Sequence, residues 1–412
     1  MKNDLDALMH ANDLDALLIT GPGQHNPAMV YLTGGGHLTN ADLIKKRGEV
    51  AVLFHYPMER DEAARSALHT KNIGEFNFTD LLKQAGGDNL KAIVRRYQLM
   101  LADLGITSGR VALYGRSEIG ANYAVFSALQ QAMPELHLVG ETDNSVLMLA
   151  RMTKDETEIE RIRWMGKVTT QVVGQVADFI SSHSAKDGVL LNNNGKPLTI
   201  GDVKNRINLW LSELGAENPE GTIFAIGRDA GVPHSSGNST DLLKLGQTIV
   251  FDIFPCEAGG GYFYDFTRTW CLGYAPDEVM ALYETVLSVY TNVTQQLQAG
   301  KAFKDYQQMA CEEFSAQGHP TVKEDPQTQQ GYVHSLGHGI GLNIHERPWS
   351  GISSDEKDSL VPGTVFTIEP GLYYPEKNMG VRLENSFYVL PDGRLEVLAD
   401  YPMDLILPVK AG

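Results

Sequence analysis

The chain has 412 residues, 42% of them hydrophobic and 21% charged, values of a globular protein too long for one ordinary domain of about 100–200 residues. Its 51 acidic residues against 34 basic ones give a formal charge of −17, a field that opposes phosphate backbones and excludes nucleic acid as the expected partner. No run approaches the roughly 18 apolar residues that span a bilayer, so no membrane partner is expected either.

In chain order, residues 1–20 read as a short helix followed by a buried strand, ALLIT. Asp4, Asp6, Asp13 and Asp15 break up the apolar residues there, so the segment does not read as a signal peptide. A Gly/Pro turn (GPGQHNP), an apolar run (MVYLT) and a glycine loop (GGGHLTNAD) follow. Neither glycine segment carries a nucleotide-binding signature. EVAVLFHYP and RVALYG read as strands, and MERDEAARSAL and IGANYAVFSALQQAM as helices. This alternation predicts a small α/β domain ending near residue 150. The stretch from Met148 to Ile180 then reads as a long amphipathic helix, with Ile159, Ile162, Met165 and Val168 at three-to-four spacing and a capping pattern from Thr153 to Glu156. From residue 221 strand-like runs alternate with glycine turns, interrupted by helical stretches at 277–299 and 303–317. Cys256, Cys271 and Cys311 form neither a CxxC pair nor a framework, which suits a reducing cytoplasm.

Two stretches echo each other. GQTIVFDIFPCEAGGGYFYDFTRTWCL and GTVFTIEPGLYYPEKNMGVRLENSFYVL each start at a glycine and place an acid six positions on, Asp252 and Glu369. Each then turns and carries a second acid in a returning run, Asp265 and Glu384. Both spacings suit a β-hairpin. Carboxylates inside strands are costly unless partnered, and a pair of divalent cations would balance four of them. The competing explanation is that each acid pairs with a nearby arginine, such as Arg268 or Arg382. Between the hairpins, HSLGHGIGLNIHE gathers His334, His338 and His345 among glycines that argue against a helix and for backbone packed close to a site. On a strand, His334 and His338 face one side, and His345 the other unless the glycines bend the chain. His338 is the expected nitrogen ligand. Oxygen ligands with one imidazole suit Mn²⁺, Co²⁺, Fe²⁺ or Zn²⁺.

These residues, with the flanking words DFTRTW, GHGIGL, IEPGLY and VRLEN, resemble the five-ligand pattern of the pita-bread metallopeptidases, in the prolidase, aminopeptidase P and creatinase branch. The resemblance implies an α/β N-terminal creatinase-like domain over 1–152, followed by an α+β pita-bread catalytic domain over 153–412. It implies two divalent metal ions, manganese first, with Asp252 on one, Asp265 and Glu384 shared, and His338 and Glu369 on the other. A hydroxide between the metals would attack the scissile carbonyl. Glu369 would move the proton, His345 would stabilise the oxyanion, His234 would contact substrate, and His334 and Arg382 would line the pocket. A homodimer is implied too, with His37 and Asp42 as residues of a loop that approaches the partner's site. The gap between the two Asp residues is two residues longer than the family's usual one, and the resulting turn at Gly259–Gly261 is expected to alter the pocket rim.

The expected substrate is a small peptide, an Xaa-Pro dipeptide cleaved by a prolidase, with Xaa-Pro aminopeptidase as the alternative. Arg347 and Arg228, next to motif histidines in sequence, are the candidates for the substrate's carboxylate. Phe263, Tyr264, Ile340, Trp349 and Tyr373 are the candidate apolar walls. A creatinase-like amidinohydrolase or a non-catalytic binding relative would each lack several of the five ligands, and none is missing.

Overall fold

The computed structural model describes residues 4–142 and 144–410. It divides into two compact units, one of residues 1–151 with Gly259–Gly261, the other of 152–258 with 262–412.

The first unit is built on a six-stranded mixed sheet. Its strands are β1 (Ala16–Gly21), β2 (Ala41–Lys46), β3 (Val52–His55), β4 (His69–Asn72), β5 (Gly109–Gly115) and β6 (Leu136–Val139), in the spatial order β4-β3-β2-β1-β5-β6. β1 runs parallel to β5 and antiparallel to β2. Every residue of β1 is buried, because the sheet is covered on both faces. Leu17 and Ile19 join one apolar cluster, and Ala16 and Leu18 join the other. The apolar run MVYLT is a helix, Pro27–Thr33, capped by the Asn26 side chain.

One expectation fails here. Asp42 is not on a loop that approaches a partner but in β2, 2% exposed, where it accepts a 2.8 Å hydrogen bond from the Tyr97 hydroxyl. It is therefore unable to reach a partner molecule. His37 is exposed, with its ring against Gln24 and its amide on Glu62.

The second unit opens on the 26-residue helix Glu156–Ser181. The cap lies later than the sequence suggested. Asp155 and Glu158 form a reciprocal capping box, and a separate short helix, Val146–Arg151, precedes it. The helix buries Ile159, Ile162, Met165, Val172 and Val176 along one stripe. Two sheets follow. The four-stranded one orders Thr222–Ile226, Thr248–Ile253, Phe266–Leu272 and Ile406–Leu407. The five-stranded one orders Glu346–Trp349, His338–Gly339, Val365–Ile368, Asn385–Val389 and Leu395–Val397. Helices Asp277–Gln296 and Phe303–Ala316 share an apolar cluster with Phe366, Ile368 and Phe387 of the five-stranded sheet. Both echoing stretches are antiparallel pairs, Thr248–Ile253 with Phe266–Leu272 and Val365–Ile368 with Asn385–Val389.

Candidate metal centre

The strand termini bring the acids together. Asp252 is the fifth residue of Thr248–Ile253, and Asp265 immediately precedes Phe266–Leu272. Glu369 follows Val365–Ile368, and Glu384 precedes Asn385–Val389. A bridge from Thr267 to Glu384 links the two hairpins, and the Thr267 hydroxyl donates to Glu384 Oε2 at 2.7 Å. Asp265, His338 and Glu384 offer ligand atoms within 4.8 Å of one another. All five residues line one cavity of about 800 Å³.

The glycines around His338 permit close backbone approach. An added methyl at Gly337 would lie 2.0 Å from the Thr367 carbonyl oxygen, and one at Gly339 2.0 Å from that of Arg347. His338 occupies a two-residue strand, and the chain bends through 341–345 before Glu346–Trp349. That bend stacks the His345 ring edge-on against His338, with centroids 4.4 Å apart. Behind the bend, fully buried Glu346 accepts from the Asn343 amide and pairs with Lys154 at 3.2 Å.

The electrostatics call for a cation. Nδ1 of His338 lies 3.0 Å from the Gly339 carbonyl oxygen, which only accepts, so Nδ1 carries the proton. In the neutral ring Nε2 is then the lone-pair nitrogen, and it faces carboxylate oxygens of Asp265 and Glu369, each at 3.5 Å. Three lone-pair groups pointing at one another repel unless a positive charge sits between them. Asp252 Oδ1, Asp265 Oδ1 and Glu384 Oε1 are buried without a hydrogen-bond partner among the described residues. Burial, and then the neighbouring acids, push the carboxyls of Asp265 and Glu384 well above the usual range. Burial raises Glu369 as well. These residues fit a site for divalent metal.

The arginine alternative holds for one acid. Arg382 Nη2 lies 2.6 Å from Asp252 Oδ2. Arg268 instead points its guanidinium at the carbonyl oxygens of Pro402, Thr267, Glu384 and Tyr401 and at the Asn385 side chain. One arginine leaves the other three acids unbalanced. Arg382 Nη1 also donates to the Tyr373 hydroxyl at 2.7 Å, which lies 2.8 Å from His334 Nε2. His334 Nδ1 donates to the Ser335 carbonyl, so Nε2 accepts the Tyr373 proton. Burial and the Arg382 charge hold His334 neutral, its pKa lowered to about 3. The ring of His345 opens onto the cavity, and desolvation with neighbouring His338 and His234 keeps its pKa below the ordinary imidazole value.

His234, His334, His345, Arg382 and Trp349 all line the cavity. Other expected residues do not. Arg347 turns away and spends its fork on buried Asp358, with Nε and Nη2 each 2.9 Å from a carboxylate oxygen. It is a structural ion pair and not a carboxylate reader. Arg228 lies exposed beside Asp229. Phe263, Tyr264, Ile340 and Tyr373 are buried outside the cavity lining, and Gly259–Gly261 belong to the first unit and not to the rim. Ile223, Phe254 and Ile344 join Trp349 in the apolar wall, and Lys204 from the helix Ile200–Glu213 adds a cation to the lining. Ile223 was traceable, since its strand neighbours the one that bears Asp252. Lys204 stands in no motif and left no signal.

A family model described as metallopeptidase family M24 matches residues 160–391, more than half of the chain. The chain belongs to metallopeptidase family M24. It is similar to a probable dipeptidase PepE of Mycobacterium tuberculosis, 29% identical over 292 residues, 69% of this chain and 70% of that protein. It is 31% identical over 193 residues to an Xaa-Pro dipeptidase of Pyrococcus furiosus, 47% of this chain and 51% of that one. Among solved structures, an X-Pro aminopeptidase of Thermotoga maritima superposes with a TM-score of 0.72 at 23% identity, covering 96% of this chain and 97% of that one. The fold is thus the pita-bread arrangement preceded by an N-terminal α/β domain, and the M24 member is a metallopeptidase.

Proposed function

We propose that this M24 peptidase hydrolyses Xaa-Pro dipeptides and that Asp252, Asp265, His338, Glu369 and Glu384 hold a pair of divalent ions, manganese foremost. The observation that carries the reading is the set of buried, partnerless oxygens on Asp252, Asp265 and Glu384, gathered beside His338 Nε2, which lies 3.5 Å from the second oxygen of Asp265 and from Glu369. Bound there, divalent cations supply Lewis acidity toward the scissile carbonyl and an activated water near neutral pH. Glu369, the least buried of the four acids with a 17% exposed side chain, takes up the proton released by the attacking water and returns it to the leaving nitrogen. His345, neutral and facing the cavity, donates to the carbonyl oxygen as its charge develops. His234 holds substrate on another part of the wall, and the Arg382–Tyr373–His334 chain fixes the wall beside Glu369. A prolyl amide lacks an N–H, so the ring is selected by shape against Phe254, Ile344 and Trp349. The buried, free cysteines suit a reducing compartment such as the cytoplasm.

A second reading, Xaa-Pro aminopeptidase, draws on the cavity volume of about 800 Å³, ample for a ligand longer than a dipeptide. Incubating Mn²⁺-loaded protein with Ala-Pro and Ala-Pro-Ala separates the two. Faster release from Ala-Pro is expected, and equal or faster cleavage of the tripeptide overturns the dipeptidase. EDTA should abolish turnover and Mn²⁺ restore it. His338→Ala should lower the bound metal per chain; unchanged stoichiometry would remove His338 from the ligand set.

A further inference from the structure

The metal-facing residues leave one strong cation of the cavity unused. Two residues with a fixed positive charge line it, Lys204 and Arg382. Arg382 is committed to Asp252, to the Tyr373 hydroxyl and to the Pro233 carbonyl. Lys204 is half-buried on the helix Ile200–Glu213, and its Nζ donates to the carbonyl oxygen of Ser236. That acceptor is neutral. Burial lowers the Lys204 pKa, and no carboxylate opposes the shift. Glu220 lines the same cavity and forms no ion pair with it among the described residues. Asp202, two residues earlier, spends its carboxylate on the amide and hydroxyl of Thr199. An ammonium has three N–H donors, so Lys204 retains two.

It shares the cavity with the five candidate ligands, and two links join it to other parts of the wall. Ser236 stands two residues after His234, and both line the cavity. Asn208, one helical turn after Lys204 and on the same face, accepts from Asn218, which also donates to Thr222 at 2.9 Å. Thr222 precedes Ile223, whose register partner is Asp252. A polar track thus runs along the wall from the strand beside Asp252 to Lys204. Its one charged donor, half desolvated and unpaired, is complementary to an anion.

We infer that Lys204 binds a carboxylate of the substrate and so selects for substrate length or acidity. The inference rests on the peptidase reading. In a dipeptide the carboxylate follows the prolyl ring directly, whereas a longer peptide places a neutral amide there. A carboxylate at Lys204 makes a charge-assisted hydrogen bond in a partly desolvated wall. The carboxylate has two sources, the substrate's C-terminus or an acidic Xaa side chain.

The test compares wild type, Lys204→Met and Lys204→Arg, all Mn²⁺-loaded, on Ala-Pro, Ala-Pro amide, Glu-Pro and Gln-Pro. If Lys204 reads the terminus, Lys204→Met raises KM for Ala-Pro by about tenfold with little change in kcat. Lys204→Arg recovers most of this, and KM for the amide stays put. A KM increase confined to Glu-Pro assigns the acidic side chain instead. Equal KM changes on acid and amide, or none on any substrate, overturn the inference. Calorimetric titration with proline and with prolinamide reads the same contact without turnover. Weaker proline binding in Lys204→Met, with prolinamide unchanged, supports the contact even if no substrate is cleaved, an outcome that would sink the peptidase reading alone. Bound metal, assayed in parallel, should be equal in all three proteins.

Discussion

Arg347 and Arg382 lie 35 positions apart in sequence and have opposite duties. Both are buried, at 4% and 2% exposure. Arg382 turns its charge into the cavity, whereas Arg347 closes a pair with Asp358 behind it. Breaking a buried pair leaves one charge uncompensated, so Arg347→Met should cost about 3–5 kcal/mol of unfolding free energy. Adding Asp358→Leu should recover much of that loss, as read from urea midpoints of the single and double variants. A selective KM increase for free-carboxylate substrates would instead return Arg347 to the substrate. The five ligand candidates were legible in sequence because each sits in a distinctive word and in an expensive place for a charge. Arg382 was legible as well, beside Glu384 in VRLEN, but Arg347 was not, since a guanidinium on a flexible stem reaches either side of its strand. Adjacency to His345 said nothing about which side Arg347 would take.

At the scale of elements, the two hairpins were legible from matching glycine-to-acid spacing, and the helices Glu156–Ser181, Asp277–Gln296 and Phe303–Ala316 from their apolar periodicity. Strands such as His69–Asn72, with no buried position, carry no alternation to read. The glycines of the His338 segment earn their place by contact. Gly339→Ala would put a methyl 2.0 Å from the Arg347 carbonyl oxygen, a backbone clash that no rotamer relieves. Gly174, inside the long helix, has Tyr401 Cε2 at 3.8 Å as the nearest atom to an added methyl. The same substitution should therefore act with opposite sign at the two sites. Gly174→Ala should raise stability by about 1 kcal/mol through helix propensity. Gly339→Ala should lower both the melting temperature and the bound metal. Equal effects at the two positions would show that the strand backbones around His338 yield.

For the molecule as a whole, the acids couple stability to pH and to metal. Burial raises the carboxyls of Asp265, Glu384 and Glu369 in the folded chain. Between the ordinary carboxylate value and the raised one, the metal-free folded chain holds protons that the unfolded chain has released. Its stability therefore falls as pH rises through that window. Divalent metal binds the deprotonated acids, so its stabilisation grows with pH. The melting temperature of EDTA-treated protein should drop between pH 5 and pH 7.5, and Mn²⁺ should raise it more at pH 7.5 than at pH 5. A gain from Mn²⁺ that is flat across this range would separate the metal from these carboxyls.

The buried contact between Lys154 and Glu346 also limits how the gene can be trimmed. Lys154 comes only two residues after the start of the second unit, yet its ammonium reaches the strand that follows His345. A shortened version beginning at the helix proper, at Glu156, would leave out this lysine and strand the Glu346 charge beneath the histidine bend. An expression boundary for the catalytic half therefore belongs upstream of Lys154.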